Sequence, residues 1–478
     1  MRTRRAFLAD MGMGFVGLAL GAMLDRDGLV RAGDVPDGRP QQPARAKRVI
    51  WLMMRGGVSH LESFDPKPAL DRHAGKMIGE TPYKSTVFDS PLLKNVREQV
   101  ANNIIDKQKA LIYPTQIGFK KGGQSGTAVS DWWPHLRGCV DDIAVVRSMY
   151  TTDNNHGAQM EFLTGRHLLD GCYPTIGAWI HYGLGALSDD LPQFIAMGPA
   201  LDSQCMGGVD ANYLGPEHAG VLLKLDPNDP LPFARPGVPV GPSEGAIKAD
   251  LLGRLNRLAT LEYPDDPKLR ARIKSYELAF HMQTAVPEVL RFGDEDESTR
   301  RLYGLDHDVT RPFGQQLLAA RRLAERGVRF IQVFHGEGAA GAWDAHIGLR
   351  ANHSALCAQV DRPIAGLLVD LKRCGLLDDT IVVWATEFGR TPCAQGPDGR
   401  DHHNYGFSVW LAGGGIQGGI VHGATDELGF HAIEHRHYVT DIHATILQLL
   451  GLDSRRLEIP GRKRLEIEHG RPIREILA

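Results

Sequence analysis

With 478 residues, 54 basic against 57 acidic side chains and a formal net charge of −3, the chain lacks both the bulk basic surface of a nucleic-acid binder and the acidic bias of a disordered tail. Its 42% hydrophobic content suffices for a large buried core. Six cysteines without a CxxC pair argue against a dense disulfide scaffold.

The N-terminus reads apart from the rest. Arg4-Arg5-Ala6-Phe7-Leu8 is a twin-arginine run, followed by the apolar stretch Met11 to Met23 and then charged Asp25, Arg26 and Asp27. A positive start, a short apolar segment and a polar sequel make a secretion signal. Residues 1–30 are therefore expected to direct export to the periplasm by the twin-arginine route. The apolar run is too short to span a bilayer and nothing longer follows, so no transmembrane helix is expected. Pro36, Pro40 and Pro43 mark residues 31–46 as a flexible linker. Export leaves room for one or two disulfides.

Residues 47–478 read as the folded domain. The run Arg48 to Met54, stopped by Gly56-Gly57, has the continuous apolar character of a strand covered on both faces. Ile143 to Val146 is a second such strand, and Gly157 to Leu163 starts a helix. Pro216 to Pro242 reads mostly as loop, and Ser243 to Leu261 and Pro267 to Thr284 as helices. Together they predict a loop and helical insertion near residues 205–305. Phe313 to Arg326 has helical spacing and leads into a strand over Val328 to Phe334. A helix over Ser354 to Cys374 contains Pro363, placed to kink or divide it. Strands over Thr380 to Thr386 and Gly406 to Leu411 follow, then a helix after Asp441 with Thr440 as its cap. Alternation of helix and strand predicts an α/β fold, a three-layer αβα sandwich around a mainly parallel central sheet.

Polar clusters follow these strands. They are Ser59 to Asp65, Thr151 to Gly157, His335 with Trp343-Asp344-Ala345-His346, and Glu387 with Asp401-His402-His403. Loops at the C-terminal ends of parallel strands converge on one crevice, so these distant segments are expected to meet. The candidate metal ligands are His60, Asp65, Asp344, His346, Glu387, Asp401, His402 and His403. Carboxylates with neutral imidazoles suit Zn²⁺ or Mn²⁺, whereas a wholly oxygen set would favour Ca²⁺ or Mg²⁺. Such an ion polarises a phosphoryl or sulfuryl oxygen. His156 and Asn155, where backbone N–H groups of a helix start can hold an anion, are expected to position substrate or water. Arg166 and Arg390 are candidates to orient an anionic group, while an ion pair of Glu387 with Arg390 is the competing structural explanation. His422, His431, His435 and His437 form a late histidine-rich segment in irregular surroundings. It is read as mostly surface, with His437 supporting Asp441 and His443. No GxxxxGK[ST] or Gly-x-Ser-x-Gly motif occurs, which argues against a phosphate loop and an ordinary α/β-hydrolase.

Several of these segments together carry a family resemblance. They are Gly56-Gly57-Val58-Ser59-His60, Phe64-Asp65-Pro66-Lys67-Pro68, Asn154-Asn155-His156, Leu163-Thr164-Gly165-Arg166, Trp343-Asp344-Ala345-His346, Thr386-Glu387-Phe388-Gly389-Arg390 and Asp401-His402-His403. The chain resembles the twin-arginine-exported, sulfatase-like proteins of the alkaline phosphatase and sulfatase superfamily. The resemblance implies an alkaline phosphatase-like domain and a metal-dependent hydrolase of a phosphate or sulfate ester. Its partner would be an anionic small molecule or a sulfated or phosphorylated glycan. In sulfatases the nucleophile lies some nine positions before the Thr-Gly pair, where this chain has Asn155. Gly56-Gly57 stands in place of paired aspartates, and Glu387-Phe388-Gly389 in place of Asp-His-Gly. A centre of non-formylglycine type is therefore implied. The reading from another class is an exported, catalytically inactive binding protein for a glycan or protein partner.

Overall fold

In the computed structural model the apolar run Arg48–Met54 forms strand β1, and every residue after Arg48 is buried. Its side chains alternate between two cores. Ile50, Leu52 and Met54 belong to one cluster, and Val49, Trp51 and Met53 to the other. A strand that feeds apolar side chains to both faces needs cover on both faces. The structure describes residues 36–95, 111–188, 190–199, 208–226 and 285–478 apart from 460, 461 and 463, with scattered positions between 247 and 282. The expected export signal and about half of the expected insertion lie outside the described residues, and the described positions within the expected helix Ser243 to Leu261 are helical.

In chain order, β2 (Ile143–Tyr150) is followed by α1 (Ala158–Thr164), α2 (Ile176–Leu184), β3 (Phe194–Met197) and β4 (Val221–Leu223). Next come α3 (Arg311–Glu325), β5 (Phe330–His335), α4 (Leu349–Arg373) and β6 (Thr380–Ala385). A hairpin of β7 (Gly389–Gln395) and β8 (Gly399–His403) leads to β9 (Phe407–Ala412) and β10 (Ile420–His422). The short strands β11 (Ala424–Thr425), β12 (Ala432–Glu434) and β13 (His437–Tyr438) precede α5 (Val439–Leu449). The nine-stranded sheet runs β10-β2-β9-β6-β1-β5-β3-β4, with β13 also paired to β2. Only β9 runs antiparallel to its neighbours β2 and β6. Because it reverses direction twice, β2 is parallel to β6. The C-terminal ends of β1, β2, β5 and β6 therefore share one edge.

Helices α3 and α4 cover one face with Leu317, Leu323, Val360, Ile364 and Leu368, and α1, α2 and α5 cover the other with Phe162, Ile180, Ile442 and Ile446. This is the αβα sandwich that the alternation predicts. Pro363 does not divide α4, which runs unbroken for 25 residues. Proline costs about 3 kcal/mol in a helix interior. Burying Leu356, Val360, Ile364, Leu367 and Leu371 on both sides of it, at roughly 1.5–3 kcal/mol per side chain, outweighs that cost.

Three local expectations are corrected. Thr440 does not cap α5: Tyr438 stands at the N-cap, and the Thr440 hydroxyl donates to the Ile467 carbonyl at 2.7 Å. The described part of the 31–46 linker is tied down, since the N–H groups of Gln41, Gln42, Arg45 and Ala46 donate to Gly451 and Leu449 carbonyls. Within the expected loop Pro216 to Pro242, Val221–Leu223 joins the sheet edge beside β3.

Where β1 ends, Gly56 has φ +117° and packs so closely that a Cβ would lie 2.5 Å from the Asp344 nitrogen and 2.7 Å from that of Trp343. An added methyl would meet backbone, which cannot swing aside. Gly56→Ala is expected to cost about 2–5 kcal/mol, combining backbone strain with overpacking. An unchanged urea midpoint would show that the turn tolerates a side chain.

Candidate metal centre

Each of the four parallel strand ends delivers one part of the site. Beyond β5, the buried Trp343 ring donates its N–H to His335 Nδ1 at 3.0 Å, and the Trp343 backbone N–H donates to the Arg55 carbonyl at 3.0 Å. The loop is thereby pinned and Asp344 is turned toward the sheet edge. Beyond β6 comes Glu387, and beyond β2 comes His156, two residues before α1. The β7–β8 hairpin folds back over them with Arg390, Asp401 and His402. Strand alternation sends His402 to one face of the hairpin and His403 to the other.

The side chains converge on Asp344. Its Oδ1 lies 2.9 Å from His346 Nε2, 3.0 Å from His402 Nε2 and 2.8 Å from Arg390 Nη2. Its Oδ2 lies 3.2 Å from His156 Nε2, and the other nitrogen of that ring is 3.3 Å from Glu387 Oε1. His346 and His402 bring their Nε2 atoms within 3.0 Å of each other. Asp401 Oδ1 stands 3.6 Å from His346 Nδ1. Phe388 packs its ring 4.4 Å from that of His402, centroid to centroid.

The outer nitrogens decide what the inner ones can do. His402 Nδ1 is 2.9 Å from the Asn154 carbonyl, and His346 Nδ1 meets Gln395 Oε1. Both partners are acceptors, so both Nδ1 atoms carry the proton and both Nε2 atoms present lone pairs. Three acceptors, the two Nε2 atoms and Asp344 Oδ1, then sit within 3.0 Å of one another. Such an arrangement requires protons or a cation among them. Ligands of a tetrahedral Zn²⁺ at about 2.0–2.1 Å lie roughly 3.3 Å apart, so the spacing fits an ion after adjustments of a few tenths of an ångström. Donor atoms of His156, Asp344 and His402, and of His346, Asp401 and His402, each fall within 4.8 Å of one another. His402 has a single free nitrogen, so the two overlapping sets describe one centre.

Charge follows the same geometry. For His156, burial opposes protonation, but the hydrogen bonds to Asp344 and Glu387 outweigh it and raise the pKa to about 9. Burial likewise opposes ionisation of Asp344, yet His156, His346, His402 and Arg390 hold its carboxyl far below the usual range. The hydrogen bond to Asp344 raises the pKa of His346, whereas burial lowers that of His402. With both Nδ1 protons placed, the crowded acceptors call for a proton among them when no metal ion is bound.

Not every expected ligand arrives. His60 is buried away from Asp344, with Nε2 2.9 Å from the Gly429 carbonyl, and burial lowers its pKa. His403 Nε2 lies 2.5 Å from the Phe430 carbonyl on the far face of the hairpin. Asp65 pairs with Lys67 at 3.1 Å and Arg147 at 3.8 Å, which makes it a buried structural anion. Arg166 turns outward, pairing with Glu468 and Asp170 and lying over the Tyr173 ring. Asn155 Oδ1 accepts the His156 N–H at 2.8 Å, so it shapes the turn that carries His156. Arg390 is fully buried and bonds to the Gly57, Arg400, Trp343 and Gly56 carbonyls and to Asp344, which commits it to the interior rather than to a substrate. The pairing expected between Arg390 and Glu387 goes to Asp344 instead.

The supporting groups escaped sequence reasoning. The Gly56 N–H and Gln159 Nε2 donate to Glu387 Oε1 at 2.8 and 3.0 Å. Gln159 in turn accepts from Arg55 Nε at 3.3 Å. Gln159 lies three residues after His156, in the first turn of α1, and that short spacing was the available signal.

In chelator, His156 is expected to stay protonated up to about pH 9. Its folded pKa exceeds the ordinary value of 6.5, so the stability it contributes is complete below that value and is lost as pH rises through 9. Urea midpoints of the chelated protein should fall across that window, and less so in His156→Gln. A flat wild-type profile would contradict the double carboxylate contact.

A search of curated proteins found no matching relative. Among solved structures, the phosphonate monoester hydrolase SpPMH from Silicibacter pomeroyi aligns at TM-score 0.36 and 14% identity, over 72% of this chain and 71% of that one. The PsFucS1 sulfatase from Pseudoalteromonas sp. aligns at TM-score 0.35 and 11% identity, over 100% of this chain and 76% of that one. A mutant of TAB5 alkaline phosphatase with bound Mg aligns at TM-score 0.34 and 11% identity, over 86% of this chain and 99% of that one. Similarity this low adds nothing to the interpretation of the site. A family model matches over residues 46–477, and on that extent the chain belongs to the family described as "Protein of unknown function (DUF1501)".

Proposed function

We propose that the chain is a metal-dependent hydrolase of a phosphate or sulfate ester that works without a formylglycine nucleophile. We place it in the periplasm by the twin-arginine route. One observation carries the catalytic reading: two imidazole lone pairs and a carboxylate oxygen crowd within 3.0 Å at the C-terminal edge of the sheet. The export reading draws on the N-terminal sequence and on the disulfide-bonded state of Cys172, which suits an oxidising compartment. Among the described residues, no helix is long and apolar enough to cross a membrane.

Asp344, His346 and His402 would hold a Zn²⁺ or Mn²⁺ ion, with His156 Nε2 completing the set and Asp401 at its margin. The ion would polarise the ester oxygen and lower the pKa of an attacking water. Glu387 then does for His156 what an orienting carboxylate does for a ligand imidazole. It accepts the Nδ1 proton and fixes the tautomer, while Gly56 and Gln159 fix Glu387. Arg390 is a positioning residue: it joins the β1 turn, the Trp343 carbonyl and Asp344 into one rigid unit. The substrate is an anionic ester, either a small molecule or a sulfated or phosphorylated glycan.

Protein purified without added metal should carry about one tightly held ion. Asp344→Ala and His402→Ala should lose it, together with hydrolysis of aryl phosphates, phosphodiesters or aryl sulfates. Glu387→Gln should weaken the ion roughly 10–100-fold. Wild-type protein that holds no ion but binds a polyanionic glycan, equally well after Asp344→Ala, would decide for the inactive binding protein.

Loading the ion should also release protons, because it replaces the His156 proton and the one shared by His346 and His402. Calorimetry in buffers of differing ionisation enthalpy at neutral pH should count about two per ion. Release of none would mean that the imidazoles are not ligands.

A further inference from the structure

A second group of imidazoles lies at the sheet edge and shares no residue with the centre around Asp344. Strands β10 and β13 follow each other along the free edge of β2, where His422 pairs with Val146 and His437 with Met149. The chain leaves that edge at His422, makes the β11–β12 hairpin and returns at His437. The two histidines thus stand at the mouth of the excursion, with their Nε2 atoms 2.9 Å apart. The His435 ring lies 5.0 Å from that of His422, centroid to centroid.

Two features go beyond accidental neighbours. The first is the carboxylate behind His437. Asp441 Oδ2 is 3.0 Å from His437 Nδ1, and Asp441 Oδ1 accepts the Arg471 N–H at 2.8 Å. An imidazole that gives its Nδ1 proton to a fixed carboxylate presents a lone pair at Nε2, which is how proteins orient a histidine for a metal ion. The second is the backbone of His435. Among the described residues, Asn212 and His435 are the only non-glycine residues at positive φ, and His435 stands at +47°. That conformation is uncommon for a residue with a side chain. It is held by the Ser148 hydroxyl, which donates to the His435 carbonyl at 2.6 Å.

We propose that His422 and His437 form the core of a separate binding site for a borderline transition-metal ion such as Zn²⁺, toward which the exposed His435 ring swings in as a third donor, and that the ion staples the two ends of the excursion 423–436. Three imidazoles without a thiolate suit Zn²⁺, Cu²⁺ or Ni²⁺ rather than Mg²⁺ or Ca²⁺. His435 is exposed and His437 partly so, which leaves water free to complete the coordination. A clip across the mouth of a loop stabilises by restricting the open chain. The stapled loop also matters to its surroundings: its Gly429 and Phe430 carbonyls meet the rings of His60 and His403 beneath β8. The site stands whether or not the Asp344 centre is catalytic.

The test is Zn²⁺ binding to the full chain by equilibrium dialysis, with bound metal measured by mass spectrometry. Wild type should bind one equivalent more than the His422→Gln/His437→Gln double variant, and the Asp344→Ala/His402→Ala variant should keep that equivalent. Equal Zn²⁺ content in wild type and the His422→Gln/His437→Gln variant overturns the proposal. Should that variant fail to fold, ¹⁵N-histidine spectra of wild type decide. Nε2 signals of two or three rings that survive in the single variant His402→Ala should shift together on Zn²⁺ addition. If only rings of the Asp344 centre respond, the His422–His437 contact is a hydrogen bond and no more.

Discussion

Asp344 accepts more neighbours than a carboxylate ordinarily would, and much of the architecture at the sheet edge serves to keep it there. Four positive or protonatable groups, from His156, His346, Arg390 and His402, reach its two oxygens. They come from three segments far apart in sequence, the loop after β2, the loop after β5 and the β7–β8 hairpin, and the parallel sheet is what brings these together. Removing the Asp344 carboxylate would leave a fully buried guanidinium without its anion and three rings without a common target. Breaking such a buried pair from one side typically costs about 3–5 kcal/mol.

That convergence is possible because backbone approaches backbone without side chains between. Gly56 lets the end of β1 lie against Trp343 and Asp344, and Gly399 lets the hairpin cross His346, where a Cβ would sit 1.8 Å from the His346 carbonyl oxygen. The β7–β8 hairpin is fixed independently by a fully buried ion pair, Arg400 with Glu62 at 2.7 Å. A buried pair is weak evidence for stability but strong on orientation, since neither charge tolerates leaving its partner. Arg400 also donates to the Thr391, Tyr113 and Pro114 carbonyls, so the hairpin is clamped from below while His402 looks outward.

Much of the fold was legible in the sequence. Buried strands were readable as continuous apolar runs, and α3 and α4 by their periodicity, because both signals follow from burial of the same residues that drive folding. The short strands were not. Phe194–Met197 and Val221–Leu223 are three or four residues long, and their identity comes from the neighbours they pair with rather than from their own pattern. At the site, residue chemistry pointed to the right segments but could not choose within them. His402 and His403 are adjacent and alike in the sequence, and only the register of the hairpin separates the ring that meets Asp344 from the ring that meets Phe430. Arg166 carries the right charge at the end of the right helix, yet Glu468, some three hundred residues later, draws it away.

The decoys have a common physical origin. His60, Asp65 and His403 lie just under the site in a layer that is fully buried, and there a polar group without an internal partner is costly. A buried carboxylate does so with lysine and arginine, a buried imidazole with a carbonyl. Residue types that build a metal centre are therefore the same ones needed to satisfy the polar floor beneath it. What distinguishes the two layers is the balance of acceptors. In the floor every histidine nitrogen that makes a hydrogen bond meets a carbonyl and is content as a donor. In the layer above, His346 and His402 have spent their N–H on Gln395 and Asn154 and turn lone pairs toward a carboxylate. An excess of acceptors facing inward at partly exposed positions is the condition that a cation resolves. It is a property of the assembled shell, invisible in any one of the segments that supply it.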